Sequence, residues 1–501
     1  MGSKPSARRE LERVEGKMDN LDSLSRDLRT EIERLDELFW VSGETLKAIS
    51  KRFQEELDEG LQENGRNIAM YLTWVLGFPT GHERGAFLAL DLGGTNIRVC
   101  WIELAERKGE TKVMQSQYKI PDDLKTGSAD QLWNFVAESL EKFTKEQGLN
   151  GSENEPLPLG FTFSYPAIQD YIDHGVLQTW TKGFDIDGVE GQDVAEQVQE
   201  AIAKRKLPIR LIALINDTTG ALIASAYNDP DTIVGAIFGT GCNAAYMEQC
   251  SSIPKLKSHD QAKDLPSDTR MAINCEYGAF DNSHSILPRT PYDETVDEQS
   301  PRPGEQTFEK MSAGLYLGEI FRLILLELHS KGLIFPDQTN LSYLQSSYSI
   351  DTGVLSFVEN DDSADMGDTK NRFRREFNIT PSHSDLRAMK HIAITVAVRG
   401  ARLCACGVAA ICRKSGIQKG HVAADGSVAN KHPKFRRRWG QALGEILDWK
   451  EDREDDPIVL TSAEDGSGIG AAVITAMTLE RAEKGQMVGI RAGAQQKKVS
   501  T

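Results

Sequence analysis

Residues 85–104 read GAFLALDLGGTNIRVCWIEL. An apolar run meets Gly93-Gly94, and a second run resumes with the bulky Val99 and Trp101, which predicts a strand, a tight turn and a paired strand. The motif is echoed at 232–241, TIVGAIFGTG, where another apolar run ends in glycines. LPLGFTFSYP (157–166) and IRLIALIND (209–217) are further apolar strands, each closing on Asn, Asp or Pro. Between and beyond them, 3.6-residue periodicity predicts helices at 129–147, near 305–330 and near 386–414. Strands interleaved with helices make this an α/β protein. Two glycine turns that follow similar strands point to two lobes of similar construction with a cleft between them. The segments 256–270, 293–305 and 359–371 read as surface loops.

A chain of 501 residues is too long for one ordinary core, so two domains or lobes are expected. With 39% hydrophobic and 27% charged residues, the balance is that of a soluble globular protein. Lys and Arg number 58 against 75 acids, and the net charge of −17 argues against a general binder of nucleic acid or anionic membrane. ATP stays within reach, because a nest of backbone N–H groups holds phosphate inside an acidic protein. Seven cysteines without a CxxC pair, several in apolar runs, fit buried thiols in a reducing compartment. The N-terminus lacks the apolar core of a signal peptide, and no apolar stretch approaches the ~20 residues of a membrane span. A cytoplasmic address is expected. Leu11, Val14, Met18, Leu21, Leu28, Ile32, Leu35 and Phe39 keep a heptad spacing broken at Ser25, which predicts an amphipathic helix packed on its own body or, alternatively, a homodimer or partner-helix seam at 11–39.

The turns DLGGTN (91–96) and FGTGCN (238–243) let backbone N–H groups approach a phosphate without a Cβ in the way. Neither fits the P-loop or the dinucleotide pattern. Each alone reads as a plain hairpin; two together, with Asp91 placed to hold a magnesium-bound water, favour phosphate binding. AEDGSGIGAA (463–472) and AADGSVANKHP (423–433) are two more glycine turns that run towards helices, and turn chemistry alone also accounts for them. Asp217 closes the strand LIALIND. It reads either as a cap for Thr218 and Thr219 or as a general base for a hydroxyl proton. Glu276 and Glu309, with Asn216, Asn243, Ser164, Thr181 and Lys182, form a set suited to sugar hydroxyls, which both donate and accept.

The stretches LGFTFSYPA, WTKGFDI, INDTTG, FGTGCNAAYME, INCEYGAFDN, FEKM and DGSGIGAA, in that order, resemble the fungal hexokinases from about residue 35 to about residue 485. That resemblance implies a two-lobed actin-like ATPase (ribonuclease H-like) sugar-kinase fold with a central cleft. It divides the chain into an extension at 1–30, a small lobe at 31–220, a large lobe at 221–485 whose last helix returns to the small lobe, and a tail at 486–501. It implies phosphorylation of the 6-hydroxyl of glucose, and of fructose and mannose, by ATP with Mg2+. Carried over residue by residue, Ser164, Thr181, Lys182, Asn216, Asp217, Asn243, Glu276 and Glu309 meet the sugar. Asp217 is the base, and Lys182 meets phosphate charge. Asp91, Leu92, Gly93, Gly94, Thr95, Asn96 and Thr240 face the phosphates, with Asp91 towards the metal. Ser427, Val428, Ala429, Asn430 and Lys431 line the adenosine end, joined by Gly314, Leu315, Thr352 and Ser356. Two positions depart from the family: Gln117 stands where lysine is usual, and Thr179 where arginine is common. Neither touches the base or the sugar set, so catalysis is expected to survive. The alternatives are a regulatory, sugar-sensing relative and a glucose-preferring glucokinase.

Overall fold

The hairpin expected at 85–104 opens a five-stranded sheet in the computed structural model, which describes residues 6–16, 18, 21–105, 110–181, 183–338, 341–450 and 452–491. The strands of the first half are β1 (Tyr71–Leu76), β2 (Gly85–Leu92), β3 (Asn96–Leu104), β4 (Thr111–Lys119), β5 (Leu157–Phe163), β6 (Ala167–Ile168), β7 (Val176–Leu177) and β8 (Ile209–Ile215). Those of the second half are β9 (Thr232–Phe238), β10 (Cys242–Gln249), β11 (Arg270–Asn274), β12 (Gly420–Asp425) and β13 (Ile458–Ser462). Among the described residues one sheet runs β4-β3-β2-β5-β8 and a second runs β1-β11-β10-β9-β12-β13.

Each sheet repeats one succession. Three antiparallel strands (β2, β3, β4 or β9, β10, β11) are followed by a helix, a parallel strand, a second helix and a last parallel strand. The crossover helices are Ala129–Glu146 and Val194–Lys204 in the first sheet, and His383–Ser415 and Phe435–Ile446 in the second. The first hairpin shows why its sequence is so uniformly apolar. Leu88, Leu90, Leu92, Ile97 and Val99 join the core under the two crossover helices. Phe87, Ala89, Cys100, Ile102 and Leu104 join the core on the other face. A strand covered on both faces has no polar side to show.

The helix Ala471–Glu483 lies against β2, β5 and β8. Gly160 permits this: a Cβ there would come within 2.7 Å of the Ala471 carbonyl oxygen. Directly before this helix, Gly466 and Gly470 cross Gly220 of the helix Asp217–Asn228 at backbone contact, and a Cβ on Gly466 would lie 2.5 Å from Ala221 N. Gly466 and Gly470 of DGSGIGAA are therefore first a packing device between two helices.

The helix His383–Ser415 is long and apolar enough to cross a membrane, but its apolar window is entirely buried in the protein. It also carries Arg399, which donates to both oxygens of buried Asp293 at 2.7 Å and sits 4.6 Å over the Phe39 ring. A buried guanidinium whose two terminal nitrogens grip one carboxylate belongs to a protein core.

The heptad seam is occupied within the chain. Leu11 and Val14, on the helix Ala7–Glu15, bury against Ile394 and Val398. Leu21, Leu28, Ile32, Leu35 and Phe39 join the cluster of Ile320, Phe321, Ile392 and Val396. Two expected loops are helical in part. Pro291–Glu298 forms because Thr290 and Asp293 make a capping box with Pro291 in the first turn. Gly367–Phe377 buries Thr369, Phe373 and Phe377, an apolar face that its surrounding charge hides in the sequence. The helix expected near 305–330 is two, Thr307–Ser312 and Gly314–Ser330, broken where Gly314 N is given to the Gly239 carbonyl at 2.7 Å.

Gly470→Ala sets a Cβ 2.6 Å from Gly220 Cα. It is expected to lower the unfolding free energy by about 1–3 kcal/mol, read from a urea midpoint. An unchanged midpoint would mean that the two helices separate at no cost.

Candidate active site

Both sheets turn the C-terminal ends of their parallel strands towards functional side chains. Asp91, Thr162 and Ile215 are register neighbours across β2, β5 and β8, so the residues that follow them share one edge. Along that edge lie the 91–96 turn, Ser164 and the pair Asn216-Asp217. The turn is tight, with Gly93 N donating to Asn96 O at 3.1 Å.

Asn216 caps the helix Asp217–Asn228 by accepting from Thr218 N at 2.8 Å. That same N–H also donates to Asp217 Oδ1 at 2.8 Å, and the Thr218 hydroxyl donates to it at 3.2 Å. Asn216 is the cap, and Asp217 adds a second acceptor for Thr218 while presenting a carboxylate at the first turn.

Facing Asn216 is Glu276, at the end of β11. Its Oε1 accepts from Asn216 Nδ2 at 3.5 Å, Asn243 Nδ2 at 3.3 Å and Asn274 Nδ2 at 2.8 Å. Glu276 has φ of 54°, a left-handed conformation costly for a side chain with a Cβ. Asn243 holds it there, accepting from Glu276 N at 2.9 Å. Three amides and one carboxylate form a rigid rim of donors and acceptors. Glu309 is held nearby: its Oε2 accepts from Cys242 N at 3.1 Å, and Gly241 is small because a Cβ would lie 2.5 Å from that oxygen.

Thr181 lies on a loop anchored by aromatic packing. Trp180 stacks on Phe184 at 5.3 Å and meets Tyr165 edge-on at 4.8 Å. The Trp and Phe of WTKGF are thus anchors, and the polar residue between them is exposed. Lys182 lies outside the described residues. Arg302 donates to the Thr179 hydroxyl and, at 3.3 Å, to the Trp180 carbonyl. Position 179, where arginine is common in the family, is thus met by a guanidinium from elsewhere in the chain.

Asp91 is tied to a cation. Arg98 grips Asp465 with two bonds, 2.9 and 2.6 Å, and reaches Asp91 at 3.4 Å. Burial pushes the Asp91 carboxyl up, Arg98 pulls it down, and the Asp217 charge pushes it up again. Such a site favours a further positive charge. Among the described residues no group of three or more His, Cys, Asp and Glu is placed to hold a metal alone. A single carboxylate suits an ion carried in by phosphates. Gln117 on β4 is the register partner of Arg98, so a lysine there would stand beside a cation already in place.

The residues expected on the nucleotide side come from four segments, the 239–241 turn and the helices Gly314–Ser330, Thr352–Glu359 and Ser427–Lys431. Gly314 N and Leu315 N donate to Gly239 O and Thr240 O at 2.7 and 3.2 Å. Gly426, at φ of 108°, packs its Cα against Gly239, where a Cβ would meet it at 3.1 Å. Thr352 donates to Gly314 O and accepts from Gly318 N at 3.1 Å. Ser356 lies one turn further along the helix Thr352–Glu359. Ser427–Lys431 is a short helix with Ser427, Asn430 and Lys431 exposed, and Asn430 donates to Asp425 at 3.1 Å. Leu92, Val428 and Ala429 turn their side chains into the core, leaving only backbone to meet a ligand.

Sequence reasoning missed Asn274, Arg98 and Asp465. Asn274 closes β11 two residues before Glu276, an amide beside an acid at a strand end. Arg98 is a lone cation in an apolar strand. Both signals were present and were outweighed by the glycine pattern.

Two family models described as Hexokinase match residues 31–227 and 233–477. The chain is similar to a hexokinase of Emericella nidulans, at 52% identity over 94% of this chain and 95% of that one. It is also similar to hexokinase-1 of Saccharomyces cerevisiae, at 48% identity over 94% and 96%. Among solved structures, the Schistosoma mansoni hexokinase complexed with glucose superposes with a TM-score of 0.80 at 33% identity, covering 90% of this chain and 99% of that one.

Arg98→Met frees Asp465 and Asp91 from their shared cation. A loss of about 2 kcal/mol in unfolding free energy is expected, measured by urea titration. Equal midpoints for variant and parent would show that the Arg98–Asp465 grip adds nothing to the fold.

Proposed function

The chain belongs to the hexokinase family, and from that premise we propose that it transfers the γ-phosphoryl group of ATP to the 6-hydroxyl of glucose with Asp217 as general base. That it is an enzyme phosphorylating glucose follows from the family itself. The observation that carries the residue assignment is the position of Asp217. Its carboxylate stands at a helix start, directly after Asn216, which donates to Glu276, and its charge acts on Asp91.

The sugar is oriented by the rim of Asn216, Asn243, Glu276 and Glu309, with Ser164 and Thr181 approaching from the half of the chain that supplies Asn216. Asn243 and Asn274 keep Glu276 from moving as hydroxyls exchange water for protein. One oxygen of Asp217 is engaged by Thr218, and the other accepts the proton of the 6-hydroxyl as its oxygen attacks phosphorus. Phosphoryl transfer needs little covalent help, so most of the acceleration comes from alignment and charge. The backbone N–H groups of 91–96 and around Thr240 meet the phosphates, and Lys182 adds its charge. Mg2+ brought in with ATP supplies charge neutralisation, and Asp91 is the residue placed to hold one of its waters.

Arg302, bonded to the Thr179–Trp180 loop of the facing lobe, supports closure of the lobes around the sugar and exclusion of water. Fructose and mannose fit the same rim and are proposed as further substrates. The seven cysteines are free and buried, which supports a reducing, cytoplasmic setting.

Asp217→Ala is expected to reduce glucose 6-phosphate formation by about 10²–10⁴-fold, with glucose affinity by calorimetry changed far less. Retention of more than a tenth of the parental rate would remove Asp217 from the role of base.

A further inference from the structure

The N-terminal helix Ala7–Glu15 ends in a buried charge network that reaches both helices assigned above to the nucleotide. Arg438, with no exposed side-chain surface, lies between two carboxylates. Its Nε and Nη2 donate to Glu15 at 2.5 and 2.7 Å. Its Nη1 and Nη2 donate to Glu359 at 3.1 and 2.5 Å. Glu359 is the last residue of the helix Thr352–Glu359, which carries Thr352 and Ser356. It also pairs with His432 Nε2 at 2.9 Å, and His432 directly follows the helix Ser427–Lys431. Lys434 adds a second cation, 3.3 Å from Glu359 and 3.9 Å from Glu15. Arg437 donates to the Val14 carbonyl and lies 3.2 Å from Glu15, tying the end of the N-terminal helix to the same segment.

Arg438 offers its donors to two acids, and one of these comes from a segment more than four hundred residues away in sequence. Without Glu15, the Nε–H of a buried guanidinium loses its acceptor, and Glu359 becomes the one carboxylate left to hold it. Glu359 and His432 then shift, and the helices on either side of the adenosine end shift with them. We propose that Glu15 is a positioning residue for ATP: the docked N-terminal helix sets the spacing between the helices Thr352–Glu359 and Ser427–Lys431. This rests on the nucleotide reading of those two helices. The sugar rim is built from other elements, so the effect is directed at one substrate.

The test compares full-length Glu15→Leu, Glu15→Gln and Ser427→Trp with the parent, each assayed for KM of ATP, KM of glucose and kcat. Affinity for a non-hydrolysable ATP analogue is measured by calorimetry. Glu15→Leu is expected to raise KM for ATP and weaken the analogue about 3–10-fold, with KM for glucose within two-fold. Glu15→Gln keeps an acceptor for Arg438, preserves the fold and is expected to fall between. Ser427 is exposed at the start of its helix, so the bulky Trp blocks the adenosine end without disturbing the core. If Ser427→Trp raises KM for ATP while both Glu15 variants leave it unchanged, the N-terminal proposal fails and the nucleotide reading stands. If neither position moves it, the nucleotide reading itself fails. A parallel rise in both KM values with Glu15→Leu and Glu15→Gln would make the role of Glu15 merely structural and overturn the proposal.

Discussion

The helix Asp217–Asn228 is clamped from two sides by glycines, and the rest of the site depends on that clamp. Residues 218–227 are all buried. On one side the helix lies on Gly235 of β9, where a Cβ would come 2.5 Å from Leu222 N. On the other it crosses Gly466 and Gly470 at backbone contact. The first contact ties it to the second sheet. The second ties it to the helix Ala471–Glu483, which covers the first sheet. A helix held by backbone rather than by flexible side chains has little freedom to slide, and Asp217 stands at its N-terminus. Packing that tolerates no Cβ is how this fold fixes a carboxylate between two lobes.

Charge is managed by the same economy. An acidic protein gathers Asp91, Asp217, Glu276, Glu309 and Asp465 around one cleft, and repulsion there has to be answered locally. Amides answer it for Glu276, since Asn216, Asn243 and Asn274 all donate to one oxygen. Arg98 answers it for Asp465 and in part for Asp91. On the Asp91–Asp217 side, burial raises the Asp91 carboxyl most, Arg98 offsets part of that, and the Asp217 charge raises it again. A substrate arriving with a cation meets two neighbouring carboxylates there.

Much of this was legible in the sequence, and what escaped did so for physical reasons. The strands at 85–104, 157–163, 209–215 and 232–238 stand out because burial on both faces leaves an unbroken apolar run. The break at Ala313 does not stand out, because it is imposed from outside: Gly239 O takes the N–H that would have continued the helix. The helix Gly367–Phe377 hides behind its own charge. The heptad at 11–39 suits a partner helix as well as its own body, and only tertiary structure shows Ile394, Val398 and the helix Gly314–Ser330 already filling the seam. In DGSGIGAA the glycines read as a phosphate turn, whereas their immediate demand is the crossing with Gly220. Periodicity reports burial; it does not report which neighbour does the burying.

The two sheets share one succession of elements, yet they contribute unequally to chemistry. The repeated frame supplies the two glycine turns, 91–96 and 239–241, one per sheet, each at the first hairpin. The first sheet's frame also supplies Asp217, at the end of its last strand. Of the residues proposed to face the sugar from the second half, Asn243 lies on β10 of the frame, while Glu276 and Glu309 have a different origin. In the first half the chain passes from β4 to its crossover helix in nine residues, 120–128; in the second it wanders through 275–382 before the helix His383–Ser415 begins. That excursion carries Glu276, Arg302, Glu309, Gly314 and Thr352. A frame that cradles phosphate suits many acceptors, since phosphate is common to them all. What the frame lacks is carried by an insertion whose rigidity is secured residue by residue: Asn243 for Glu276, Cys242 N for Glu309 and Gly239 O for Gly314.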